Sequence, residues 1–446
     1  MSDIIRRGYN WGMTTRSIVW FRRDLRLRDH PALSEACSEG EVLPVFVVDP
    51  AFDGAGAPRR ALLHDCLAAL DDATGGALVV RHGDPADEIP ALADEIDAST
   101  VYVSKDYGPY GRKRDEQIAD ALRGADRRLR GIGSPYAVDP GTVRKDDGDP
   151  YSVFTPFSKK WRACGWSDPI DAPRRPNWIE APSDGLPERP DVDVDIPSAG
   201  EDNVLARWRR FRDDGLDDYD ERRDLPAVDG TSRLSPFLKY GVVHPRQLLA
   251  ESDARSKAQA TFQSELAWRD FYADVLFHSP DSAWEHWNDK FDAIRYDHNQ
   301  AAKNKFERWC EGRTGFPIVD AGMRQLVESG WMHNRVRMIT ASFLVKDLHL
   351  PWTWGARFFL QHLLDGDLAS NNHGWQWAAG SGTDAAPYFR VFNPTSQQER
   401  WDPDGEYVHR WIPELDSDDY PDPMVDHKAE RQEALDRYEA VKGSSS

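Results

Sequence analysis

From Thr15 onward the chain alternates short apolar runs with amphipathic stretches. Residues 17–21 (SIVWF) and 42–48 (VLPVFVV) carry no polar face and read as strands buried on both sides. Between and after them, 31–37 reads as a short helix and 59–73 as a longer one, with Leu62, Leu63, Cys66, Leu67 and Leu70 on one face. Strands at 78–81, 100–103 and 137–138 and helices at 88–96 and 114–122 continue the alternation, which predicts a parallel sheet covered on both faces. No GxGxxG or Walker A sequence accompanies it, so the fold alone names no ligand. Pro, Asp and Ser then accumulate, most densely in 168–197, around one small helix at 154–164. Beyond residue 201 the period becomes helical, with segments at 204–212, 236–240, 245–249, 257–276, 303–311, 318–329, 334–347 and 354–364. The expected organisation is an α/β domain over 15–140, a connector over 141–200 and an all-α domain over 201–446.

The length of 446 residues accommodates such a division at roughly 100 to 200 residues per domain. Net charge changes the picture: at −20 it removes the broad phosphate attraction of a typical nucleic-acid binder and leaves room only for a local basic cleft. The acid excess is spread along the chain, the first lysine is Lys105, and arginine carries most of the positive charge, a pattern that suits a halophilic, salt-adapted protein. At molar salt the Debye length falls to about 3 Å, so such a cleft would act on a polyanion only at short range. Cys37, Cys66, Cys164 and Cys310 lie far apart without CxxC spacing, residues 1–17 lack an apolar h-region, and no run approaches a membrane span. The expectation is a cytoplasmic protein with reduced thiols.

Candidate chemistry gathers in the helical half. Glu265, Trp268, Arg269 and Tyr272 fall at i, i+3, i+4 and i+7, so an acid, an indole, a guanidinium and a phenol share one stripe. A structural ion pair accounts for two of them; a ligand-facing stripe also accounts for the aromatic between them. Residues 330–338 (GWMHNRVRM) open a helix on which Asn334, Arg337 and Met338 share a face, and on which Arg335 and Arg337 can pair with phosphate and carboxylate. His333 reads more simply as a hydrogen-bonded structural residue. In 365–377 (DGDLASNNHGWQW), Asp365 and Asp367 either cap a helix or, with Asn371, bracket a planar ligand beside Trp375 and Trp377. Residues 231–236 (TSRLSP) place hydroxyls and an arginine ahead of a helix, as a phosphate cradle would. With no HExxH, GxSxG or metal-spaced carboxylates, hydrolytic chemistry has little support and no metal is expected.

These motifs, together with 19–33 (VWFRRDLRLRDHPAL) and 314–324 (TGFPIVDAGMR), occur in an order that resembles the DNA photolyase and cryptochrome family over about residues 15–428, and most closely its class I cyclobutane pyrimidine dimer photolyases. The resemblance implies a Rossmann-like antenna domain, a connector and a helical domain holding FAD in a bent form. It implies a deoxyribodipyrimidine photo-lyase: under blue light reduced FAD passes an electron to a dimer in UV-damaged DNA, the cyclobutane ring splits and the electron returns.

Carried over residue by residue, Tyr219, Thr231, Ser232, Arg233, Leu234 and Ser235 look like pyrophosphate and ribityl contacts. Arg269, Asn334, Asp365, Asp367 and Asn371 look like the groups around adenine, ribose and isoalloxazine, with Asn371 nearest flavin N5. Glu265, Trp268, Arg335, Met338 and Trp377 are similar to the lesion pocket, in which the two indoles wall a flipped dimer and Glu265 meets its base edge. Relatives that repair (6-4) photoproducts carry a second histidine where this chain has Asn334. Trp375 and Trp352 resemble the proximal and middle members of a photoreduction relay whose distal member has Tyr296 as its nearest counterpart; Trp309 and Trp354 read as core. The segment 106–115 (DYGPYGRKRD) resembles deazaflavin-binding relatives, which implies an 8-hydroxy-5-deazaflavin antenna, with methenyltetrahydrofolate as the alternative. A cryptochrome photosensor is the competing reading; the chain ends about twenty residues after His427, without the long tail such proteins commonly carry. No membrane and no obligate protein partner is expected, and the protein is expected to be a monomer.

Overall fold

Five strands, β1 (Thr15–Phe21), β2 (Gly40–Val48), β3 (Val79–His82), β4 (Thr100–Val103) and β5 (Arg128–Gly131), form one parallel sheet in the order β3-β2-β1-β4-β5 in the computed structural model, which describes residues 15–384 and 390–443. Alternation sorts their side chains to two apolar faces. Ile18, Trp20, Val45 and Val101 pack with α3 (Pro85–Glu95) and α4 (Pro109–Gly124), while Val19, Phe21, Val42 and Phe46 pack with α1 (Pro31–Glu39) and α2 (Ala57–Thr74) in a core that continues into the helical half. Pro44 is tolerated inside β2 because its missing N–H would point toward β3, which pairs with β2 only from Val45 onward.

The fifth strand departs from the sequence expectation. It lies at Arg128–Gly131, and 137–138 is not a strand. Arg128 bonds Thr100 and Arg130 reaches Glu35 and Glu39, so this edge strand is held by polar partners that leave no apolar run to read.

After α5 (Phe154–Cys164) come α6 (Glu201–Asp214), α7 (Tyr219–Arg222), α8 (Ser235–Tyr240), α9 (Pro245–Ala250), α10 (Lys257–His278), α11 (Gln300–Cys310), α12 (Pro317–Ser329), α13 (Asn334–Lys346), α14 (Trp352–His362), α15 (Leu368–Ala379), α16 (Pro394–Trp401), α17 (Glu406–Trp411) and α18 (His427–Gly443). Among the described residues no helix is long and apolar enough to cross a membrane. The two halves are pinned through α10. Asp270 accepts from Val138 N (3.0 Å) and Trp161 Nε1 (2.9 Å), and Asp274 accepts from Gly141 N (2.6 Å). Burial pushes both carboxyls up to about 6. These contacts turn the Asp270 face of α10 to residues 138–161, and from the Glu265–Tyr272 stripe Trp268 also meets the connector, at Phe154.

Helix α15 packs against α10, α13 and α14. It is buried through hydrogen bonds rather than apolarity: Asn372, His373 and Gln376 are fully buried, with Asn372 bonding Ala283 O, His373 Nε2 meeting Ser282 Oγ (2.9 Å) and Gln376 donating to Ser282 O (2.7 Å).

Candidate active site

The stripe on α10 is a half-buried aromatic and ionic surface. The Trp268 indole stacks on Phe154 of α5, ring centroids 3.7 Å apart and nearly parallel, and meets Tyr272 at 5.3 Å. Tyr272 in turn stacks on His373 of α15 at 5.7 Å. Glu265 is paired with Arg223, which donates from Nη1 to Oε1 at 2.5 Å. Arg269 donates to Pro135 O (2.7 Å) and Leu238 O (3.0 Å) and lies over the Tyr136 ring, so it ties the α/β half to α8 and α10.

Asp367 is the N-cap of α15, accepting from Ser370 N at 3.0 Å, and its other oxygen accepts from Arg23 at 2.6 Å. Burial alone would raise this carboxyl, but Arg23, Lys239 and Arg269 hold it well below the usual carboxylate range. Two residues earlier, Asp365 takes a two-pronged pair from Arg337 (3.2 and 2.9 Å). The Asn371 amide is fixed on Ala356 O of α14 (3.1 Å) and Asn372 Oδ1 (2.8 Å). A side chain built at Gly374, one turn beyond Asn371 and one before Trp377, would meet no atom within 4 Å, although its neighbours His373 and Trp375 are buried. Open space therefore runs along the α15 face that carries these residues.

The TSRLSP turn precedes α8, with Arg233 at φ +50° over the Trp331 ring. Leu234 is buried, so only its backbone can face a ligand, and the Tyr219 ring lies in an aromatic cluster with Phe211 and Phe262. Hydroxyls and backbone amides at 231–235 and the Arg269 guanidinium fit the anionic part of a flavin dinucleotide, the carboxylates Asp365 and Asp367 fit its hydroxyl and N–H donors, and the space beside Gly374 fits a planar ring.

On α13, His333 caps the helix through Nδ1, and burial pushes its imidazole down to about 4, so it is the neutral acceptor a cap needs. Asn334 is exposed at the first turn. Arg335 and Met338 line a groove of about 430 Å³ with Arg390, Asn393, Arg400 and Trp401. Trp401 carries Arg335 and Arg400 at 4.4 and 4.5 Å from its ring centroid.

Trp268 and Trp377 belong to different hydrophobic clusters, one extending from the sheet and one built from α12 to α15, and so stand on opposite masses of the helical half. Trp375 is buried against Gly355, where a Cβ would come within 2.1 Å of the indole; only glycine admits that approach, one turn along α14 from Trp352. Trp309 is fully buried and its ring lies 6.0 Å from Trp375. His286 lies between Tyr296 and Trp352, its ring 6.1 Å from one and 6.2 Å from the other. Sequence reasoning passed over Arg23, Arg223, Asp224, His286, Arg400 and Trp401; of these only Arg23 lies in a quoted motif.

Comparison with known proteins gives two family matches: the family described as DNA photolyase over residues 17–176 and the FAD binding domain of DNA photolyase over 262–418. A deoxyribodipyrimidine photo-lyase from Agrobacterium fabrum is 38% identical over 95% of this chain and 98% of its own length. The crystal structure of a bacterial class III photolyase from Agrobacterium tumefaciens, 37% identical, superposes with a TM-score of 0.89 over 98% of this chain and 100% of that one. An archaeal photolyase from Sulfolobus tokodaii with two FAD molecules, 29% identical, gives 0.85 over 96% and 100%. The class III match corrects the expected closeness to class I enzymes. The motifs behind that expectation match the family as a whole, and no residue among them was shown to separate one class from another.

Proposed function

The chain belongs to the DNA photolyase family, FAD-binding enzymes of the deoxyribodipyrimidine photo-lyase kind, and we propose that it repairs cyclobutane pyrimidine dimers by light-driven electron transfer. One observation carries this reading. On a chain of net charge −20, a groove with Arg335, Arg390 and Arg400 opens beside the aromatic stripe of Glu265 and Trp268, joined to it through Arg223 and Asp224. A local cationic rim next to an aromatic wall suits a flipped lesion in a polyanion. When bound and reduced, FAD supplies the electron that opens the ring and accepts it back.

The protein's own groups bind, orient and exclude water. Trp268, backed by Phe154, presents its remaining face as one wall, Trp377 forms the other, Glu265 accepts from the base edge, and Met338 and Arg335 border the opening. Asn371, held by α14, sits on the open α15 face as an amide, which has no acidic proton to give. Asp365, Asp367, Arg269, Asn334, Tyr219 and the 231–235 turn hold the cofactor. In this reading 15–140 is the antenna domain, 141–200 the connector and 201–446 the catalytic domain. The antenna is 8-hydroxy-5-deazaflavin, with methenyltetrahydrofolate as the alternative. A groove of about 660 Å³ between α4 and Phe277 has Lys105, Arg112 and Lys113 alternating with Asp106, Asp115 and Glu116 on its walls, with the Tyr107 and Phe277 rings beside them, and so offers both charges and aromatic faces to either. Mass analysis of chromophore released from the holoprotein decides between them.

Incubation of flavin-reduced protein with a thymine-dimer oligonucleotide should restore intact thymines under blue light and not in darkness, with a (6-4) substrate left unrepaired. Repair in darkness, or of the (6-4) substrate alone, overturns the proposal. Asp367→Ala and Arg269→Ala should each remove charge-assisted contacts worth roughly 1.5 to 3 kcal/mol, or about 10- to 150-fold in flavin affinity. Flavin-to-protein ratios after dialysis measure this, and full occupancy in both variants removes these residues from the cofactor site.

A further inference from the structure

Arg223 and Asp224 follow α7 directly and touch both ends of the proposed lesion site. Arg223 Nη1 donates to Glu265 at 2.5 Å, Arg335 Nη2 is ion-paired with Asp224 Oδ1 at 2.9 Å, and Arg223 Nε lies 4.0 Å from Asp224 Oδ1. A row of four charges, acid, base, acid, base, thus runs from α10 to α13 and sums to zero. All four side chains are partly buried, between 18% and 32% exposed, so their pairing is screened less than on open surface and is still within reach of a ligand. Among the described residues none lining the adjoining groove is acidic, and Arg335 keeps a buried Nε without a hydrogen-bond partner among them. Asp224 is therefore the carboxylate with which a phosphate must compete for Arg335, whose guanidinium also lies over the Trp401 ring.

We infer that Asp224 is a specificity-determining residue that releases Arg335 to DNA only when a lesion engages Glu265. The inference rests on the reading of Glu265 as the base-edge contact and Arg335 as a DNA contact. With undamaged DNA, Glu265 keeps Arg223 and Asp224 keeps Arg335, so a phosphate must compete with a carboxylate already in place. When a flipped dimer draws Glu265 to its base edge, Arg223 closes the 4.0 Å gap to Asp224 and Arg335 turns to the phosphate. The exchange makes and breaks ion pairs only; no proton or electron moves. Discrimination then comes from a change of partners inside the protein as well as from stacking in the pocket.

Asp224→Asn, close to isosteric, should free Arg335 whether or not a lesion is present. Titrations of the holoprotein at several salt concentrations should show undamaged duplex bound roughly three- to tenfold tighter at low salt, with its salt slope steeper by about one. Damaged duplex should change little, so the damaged-to-undamaged ratio falls. Asp224→Glu, which keeps a carboxylate, should restore most of the ratio, and Arg223→Gln should weaken damaged duplex selectively, because Asp224 then has no other partner. An equal shift on both duplexes in Asp224→Asn, or none, overturns the inference while leaving the site reading intact. Arg335→Ala without effect on either duplex overturns the site reading, and the inference with it.

Discussion

Trp375→Phe should abolish light-driven reduction of the bound flavin while leaving repair by chemically reduced protein largely intact. Trp375 lies on α15 one turn after Asn371 and is buried at 2% exposure. The absent side chain at Gly355 lets its indole press on α14 one turn from Trp352, and Trp309 meets it from another side at 6.0 Å. In the proposed relay an electron arriving by either ring passes on through Trp375, so this position tests both approaches together. Phenylalanine keeps a ring against Gly355 but is far harder to oxidise than an indole, which confines the loss to electron supply. The measurement is steady illumination of oxidised protein with an external donor, followed by the flavin spectrum, beside a repair assay on protein reduced in the dark. Normal photoreduction would place the proximal donor elsewhere.

Tyr296 is the gentler test of the same path. Its hydroxyl is buried without a hydrogen-bond partner, and burial raises its pKa well above the usual phenol range. A phenol that gives up an electron must also shed its proton, and no acceptor among the described residues touches this one. If Tyr296 is the terminal donor, with His286 bridging to Trp352, Tyr296→Phe slows photoreduction; an unchanged rate moves the terminal donor to another ring, with Trp309 already on Trp375.

The parts of the fold legible in the sequence are those held by apolar contact. The run 17–21 could be read as a strand because both of its faces are buried in carbon, and 59–73 as a helix because its leucines line one side. Arg128–Gly131 and Leu368–Ala379 were not legible, because the first is an edge strand tied by arginines and the second a helix buried by Asn372, His373 and Gln376. In the same way, the stripe Glu265–Tyr272 followed from helical spacing, whereas the pairs that tune it did not. Arg23 and Asp367 are 344 residues apart, and Arg223 and Glu265 are 42 apart. Such partners follow from how the end of β1 meets α15 and how α7 packs on α10, and no local pattern encodes that.

Trp268→Ala should cost dimer-containing DNA a stacking contribution of roughly 1 to 3 kcal/mol, about 5- to 150-fold in affinity, and cost undamaged DNA much less. One face of the indole is already taken by Phe154 at 3.7 Å, and Phe271 and Tyr272 pack on it at 5.6 and 5.3 Å, so removal also loosens packing around α10. That loss acts on protein stability and on both duplexes alike; only the proposed stacking on the lesion discriminates. Arg335→Ala supplies the contrast. A phosphate contact carries no information about the lesion by itself, so its removal should flatten the salt slope on damaged duplex by about one. Fluorescence titration of both variants against matched damaged and undamaged duplexes at several salt concentrations separates the two behaviours, with thermal melts reporting the packing cost. If Trp268→Ala weakens both duplexes equally, the indole is a packing residue shared by α5 and α10, and the lesion wall must be sought on the Trp377 side of the cleft.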